Sequence, residues 1–109
     1  MLKVGPISVG SYVRAGRLVP SNARVLHARS IVLERAAVMD WHSTQDREEL
    51  LCVMRGWVQL EAEVGSGRIR RVRLLAGQCA FLGEHVRHRV VNRSGARARY
   101  LYVTGSTQR

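Results

Sequence analysis

The clearest periodicity in the chain follows Gly56, where Val58, Leu60, Ala62 and Val64 interleave with Trp57, Gln59, Glu61 and Glu63. Successive side chains of a strand point to opposite faces, so this alternation predicts a β-strand with one face buried and the other wet. Gly65-Ser66-Gly67 comes next, and glycine accepts the positive φ of a hairpin turn, so 68–75 reads as the returning strand. Upstream, 24–39 is a β-rich stretch expected to hold two strands, with Val25, His27 and Arg29 on one face and Leu26 and Ala28 on the other. Downstream, 78–82, 86–91 and 97–104 read as short strands, separated by turns at Gly77, Gly83 and Asn92-Arg93-Ser94-Gly95. The first twenty residues, with Pro6 and Pro20, read as edge strands or arms, and the polar tail after Thr104 is expected to fray. No segment has helical periodicity. Many short strands at a spacing of roughly ten residues predict an all-β sandwich or closed barrel.

Composition bounds this picture. A chain of 109 residues is the size of one domain, here divided into an arm (1–23), a barrel (31–104) and a tail (105–109). With 46% hydrophobic and 24% charged residues it has globular composition. The net charge of +10 is carried almost wholly by arginine, Lys3 being the only lysine. These arginines recur along the chain without a nucleic-acid-binding motif, so they read as a solvated surface and no nucleic-acid partner is expected. No run approaches the ~20 apolar residues of a membrane span, and 1–10 lacks a secretory apolar core, so a cytoplasmic location is expected. Cys52 and Cys79 fit no disulfide framework or zinc pattern and are expected as buried, reduced thiols.

Metal ligands inside a barrel must converge from strand ends, so the informative residues are histidines and carboxylates flanking alternating segments. His42, Glu49 at the head of an apolar strand, and His88 within 86–91 form such a set. No Ser-His-Asp arrangement is discernible, and neither cysteine has a catalytic partner pattern.

The spacing of these residues relative to the glycines resembles the cupin superfamily, whose motifs run G-x5-H-x-H-x(3 or 4)-E-x6-G and G-x5-P-x-G-x2-H-x3-N. The first aligns without a gap on Ala36, His42, Thr44, Glu49 and Gly56, and the second on Gly77, Gly83, His85, His88 and Asn92. The resemblance covers 31–104 and implies a single-domain jelly-roll β-barrel, often dimeric, with an internal site for iron, manganese, nickel, zinc or copper. It implies no single reaction. Three departures matter. Ala36 replaces the first glycine, tolerable if that turn needs no positive φ. Gly83 and His85 replace the proline and glycine of the second motif, so the loop before His88 is expected to be looser or differently bent. Thr44 replaces the second histidine, and a neutral hydroxyl is a poor ligand, which leaves His42, Glu49 and His88 as a two-histidine, one-carboxylate set for one divalent ion such as Fe, Mn, Ni or Zn.

Leu51 and Val53 should point inward from Glu49's strand, and Val86 and Val90 should flank His88. Thr44 and Gln45, on the loop beside His42, complete the expected lining of a mostly apolar small-molecule pocket. His85 and His27 are placed outside it. Leu50, Cys52 and Met54 form an apolar opposite face, expected to be covered by a second sheet or by the partner in a homodimer. The expected function is to bind or act on a small molecule at the metal, as an oxygenase or isomerase. The alternative is a non-enzymatic small-molecule-binding or sensing module, with or without metal.

Overall fold

The computed structural model describes residues 2–4 and 7–107, which hold eleven strands and no helix. In chain order these are β1 (Leu2–Val4), β2 (Ile7–Val9), β3 (Gly16–Arg17), β4 (Leu26–Leu33), β5 (Val38–Ser43), β6 (Arg47–Arg55), β7 (Trp57–Glu63), β8 (Ile69–Leu75), β9 (Cys79–Leu82), β10 (Arg87–Val91) and β11 (Ala98–Ser106). Strands β1 and β2 pair with each other; Pro6, where a turn was expected, lies outside the described residues. The others form two antiparallel sheets, β5-β10-β7-β8 and β3-β4-β11-β6-β9, packed as a jelly-roll sandwich. The core fills the space between them, with Leu51, Val53 and Tyr100 from one sheet meeting Val58, Leu60 and Val90 from the other. Full burial of each such aliphatic side chain stabilises the fold by about 1.5–3 kcal/mol.

The alternating segment after Gly56 is β7, and Val64-Gly65-Ser66-Gly67-Arg68 joins it to β8, closed by Val64 N–H donating to Arg68 O (3.0 Å). The outer face of β7 departs from expectation at Glu61, which is only 1% exposed. It is covered by long side chains instead of core: Arg89 Nε donates to its Oε1 (2.8 Å), Gln59 Nε2 to its Oε2 (2.6 Å), and Arg71 and Arg93 stand at 3.6 and 3.8 Å. Burial pushes the Glu61 carboxyl up, but the Arg89 hydrogen bond, with Gln59 and Arg71, outweighs this and holds it below the usual range. Val64, expected on the buried face, lies past the strand end and is exposed.

Glycine geometry explains the chain reversals. At Gly56 φ is +71°, and a Cβ there would stand 3.3 Å from Arg97 O, so the turn from β6 into β7 requires glycine. Ala36, at the first motif glycine, has φ +64°, so the condition under which alanine would be harmless is not met. The tail also differs from expectation: β11 continues to Ser106, and Thr107 N–H donates to Asp46 O (2.8 Å). Of the tail, 108–109 fall outside the described residues.

The cysteines are corrected as well. Cys52 and Cys79 are cross-strand partners on β6 and β9, and Cys79 is exposed. Burial, followed by the neighbouring Cys79, pushes the Cys52 thiol up. On that outer face no described sheet covers Leu50 (40% exposed) or its neighbour Phe81 (64% exposed).

Candidate metal centre

His42 and His88 face each other across the β5–β10 pair, and Glu49 reaches them from β6 in the opposite sheet. The site therefore bridges both halves of the sandwich. The two imidazole centroids are 4.2 Å apart, His88 Nε2 lies 3.6 Å from Glu49 Oε2, and one ligand atom from each of the three residues falls within 4.8 Å of the others. Ligand atoms around one ion at ~2.1 Å stand about 3–3.5 Å apart, so small side-chain rotations close the set.

The tautomers are fixed by the backbone. His42 Nδ1 lies 2.8 Å from Asp40 O and His88 Nδ1 3.0 Å from Val86 O. A carbonyl only accepts, so each Nδ1 carries a proton, and a ring that holds that proton alone presents its Nε2 lone pair to the cavity. His88 Nε2 is buried without a hydrogen-bond partner, an arrangement native proteins seldom leave unexplained. This orphaned nitrogen, beside a buried carboxylate and a second imidazole, is the observation on which a divalent ion fits the site. Burial pushes the His88 pKa down, but the Glu49 carboxylate 3.6 Å away, together with the Val86 carbonyl, raises it above its usual value.

Thr44, at the position of the second motif histidine, is buried and its hydroxyl is fully engaged. It donates to Gly83 O (2.7 Å) and accepts from Val86 N–H (3.0 Å), while His85 N–H donates to Gln45 O (2.8 Å). The loop before His88, expected to be looser or differently bent, is thus tied to the β5–β6 turn, and His85, with φ +57°, occupies the left-handed region that glycine favours. Asn92, which closes the second motif, donates to Leu33 O (2.8 Å) and Ala96 O (2.7 Å) and holds the chain beyond β10.

A cavity of about 480 Å³ opens over the three residues. Thr44, Leu51 and Val90 line it, together with Met39, Tyr100 and Tyr102. Gln45, Val53 and Val86 do not. Gln45 is exposed and contributes its backbone; Val53 lies two residues beyond Leu51, in the core; and Val86, preceding β10, borders a different hollow with Leu82. His85 lies outside the cavity, and His27 lines an adjoining one. The tyrosines and Arg47 were missed by sequence reasoning. Tyr100, Tyr102 and Thr104 share one face of β11, a period-two signal that would have found them once the inward face was known. Burial, then the Glu49 charge, pushes the Tyr100 phenol up, so it stays a neutral donor.

No family model matches the chain, and no curated protein matches it in sequence. Solved structures do. The Schizosaccharomyces pombe Cnp3 cupin domain superposes with a TM-score of 0.73 at 10% identity, over 84% of this chain and 63% of that one. A cupin-family protein of Methanocaldococcus jannaschii with a double-stranded β-helix fold gives 0.71 at 18% identity, covering 86% and 80%. A cupin-superfamily sugar phosphate isomerase of Silicibacter pomeroyi gives 0.64 at 22% identity, covering 79% and 54%. The chain spans less than two thirds of the first and third of these. It has the cupin fold.

Proposed function

We propose that the chain is a small cupin that holds one divalent transition metal, such as iron, manganese, nickel or zinc, on His42, Glu49 and His88, and binds or transforms a small molecule beside it. The observation that carries this reading is the buried, unpartnered Nε2 of His88 within 3.6 Å of Glu49. Bound there, a divalent ion supplies Lewis acidity or, if redox-active, access to oxygen chemistry. The chain's own residues do the rest. Asp40 and Val86 carbonyls hold both imidazoles in the ligating tautomer, while Leu51, Val90 and Met39 exclude water from the cavity floor. Tyr100 and Tyr102 offer phenolic donors to a ligand.

An isomerase or oxygenase reaction accords with this set, and the S. pomeroyi protein of the same fold is a sugar phosphate isomerase. The second reading, a binding or sensing module without turnover, is favoured by Thr44, whose hydroxyl is committed to the loop and leaves three ligands. A homodimer through the outer face that carries Leu50 and Phe81 belongs to the same proposal, and a monomer mass in solution counts against it. Oxygen consumption or product formation with a candidate substrate, abolished in His88→Ala, supports the enzyme. Ligand binding that persists in that variant, with no turnover in either protein, supports the module.

A further inference from the structure

Two groups of arginines in this chain stand in contrasting surroundings. On the outer face of the four-stranded sheet, Arg71, Arg89 and Arg93 surround Glu61, and Arg87 pairs with Glu63 at 2.9 Å. Arg97 pairs with Glu34 at 3.0 Å. Each of these cations lies against a carboxylate of the fold, Arg71, Arg89 and Arg93 sharing the one charge of Glu61. On the inner face of the five-stranded sheet the situation is reversed. Arg17 and Arg29 are directly opposed on β3 and β4, where like charges repel, and Arg47 heads β6. Among the described residues no carboxylate lies within ion-pair distance of these three, and Arg47 Nη1 is buried without a hydrogen-bond partner.

Their position gives this unneutralised charge a use. All three line a hollow of about 380 Å³ that shares Arg47, Tyr102 and Thr104 with the cavity over His42, Glu49 and His88. Arg29 stands opposite Tyr102, and Tyr102 opposite Leu51, in one cross-strand row beside the row that contains Glu49. Arg47 is two residues before Glu49 on the same face of β6, a separation of ~7 Å along an extended strand. A small molecule with one end at the histidines therefore reaches the arginines with the other. Guanidinium groups bind carboxylates and phosphates through paired N–H donors.

We propose that the connected hollow is an oxyanion pocket formed by Arg17, Arg29 and Arg47, and that the cavity's ligand is a small acid bearing a carboxylate or phosphate. The identification of this acid as the metal site's ligand rests on the metal-site reading above; the pocket itself does not. It also departs from the expectation that the arginines form only a solvated surface.

The test is calorimetric titration of the metal-stripped, desalted full chain with inorganic phosphate and, separately, succinate, at constant ionic strength. Saturable binding is expected, weakened at least tenfold in Arg29→Gln and in Arg47→Gln but unchanged in Arg71→Gln on the outer face. Arg29→Lys, which keeps charge but loses the paired donors, is expected to fall between. Preference for phosphate or for succinate identifies the oxyanion, and either supports the pocket. Because Arg29 faces a like charge, Arg29→Gln without ligand should unfold no lower than the parent, and phosphate should raise the unfolding midpoint of the parent and of Arg71→Gln more than that of Arg29→Gln. No saturable binding of either anion, or equal weakening in Arg71→Gln, overturns the proposal. Zinc uptake measured in parallel separates the two readings: uptake without anion binding removes only this inference, and anion binding without uptake removes only the metal.

Discussion

Replacing Thr44 by valine keeps the side chain's shape and removes one oxygen. In the parent that oxygen ties two backbone groups of the 83–86 loop, donating to Gly83 O at 2.7 Å and accepting from Val86 N–H at 3.0 Å. Thr44 is 5% exposed, so water does not readily take its place. Each buried partner left unsatisfied costs about 1–3 kcal/mol; allowing for partial relaxation, the variant should lose roughly 2–4 kcal/mol. For a domain near 100 residues, each kcal/mol moves the midpoint about 4–8 °C, so a drop of roughly 8–32 °C is expected in a thermal melt followed by circular dichroism. Thr44→Ser keeps the hydroxyl and loses a methyl, and should fall by about 1 kcal/mol. Since Val86 O also orients His88, metal affinity should weaken in the valine variant and much less in the serine one. If Thr44→Val melts within 2 °C of the parent, the hydroxyl does not hold the loop and this account of the histidine replacement is wrong.

Glu61→Gln should cost about 1–3 kcal/mol at pH 7, toward the lower end because two of its arginine partners are largely exposed. Its carboxyl is depressed in the folded state, so the stabilisation is present above its ordinary value of 4.5 and is lost as pH falls through the folded value. The glutamine variant should therefore show a shallower loss of stability with acid in urea titrations; parallel curves for the two proteins would refute the cage. Ala36→Gly relieves a left-handed alanine, worth ~1–2 kcal/mol, against ~0.4–1 kcal/mol of added unfolded-state freedom, and should raise stability by up to about 1.6 kcal/mol. A melt lower than the parent's would count against it.

Legibility of this molecule in its sequence followed the physics of each signal. The alternation at 57–63 and the glycine-rich turn need only local backbone rules, and both stand in the structure as β7 and its hairpin. The convergence of His42, Glu49 and His88 was readable because the motif spacings place them on strand ends with fixed offsets. What was not legible depends on neighbours far along the chain. Glu61 sits at a wet-face position by periodicity, yet Arg89 and Arg93, some thirty residues on, cover it. Cys52 and Cys79 are distant in sequence and opposed in space because β9 pairs with β6. Val86 was assigned to the cavity by continuing the alternation of β10 backward, but the strand begins at Arg87, and the Val86 backbone is instead bonded on both sides to Thr44. The unneutralised status of Arg17, Arg29 and Arg47 depends on which carboxylates the fold brings near, and no pattern along the chain reports that.

The central claim is met most directly by titrating chelator-free, metal-stripped protein with ferrous iron, manganese, nickel and zinc, and counting bound ion by elemental analysis in the parent and in His88→Ala. One equivalent of at least one of these ions is expected in the parent and none in the variant, with uptake declining as pH falls and protons compete for the imidazole that Glu49 favours in its charged form. Less than a tenth of an equivalent in the parent, or uptake unchanged in His88→Ala, would contradict it.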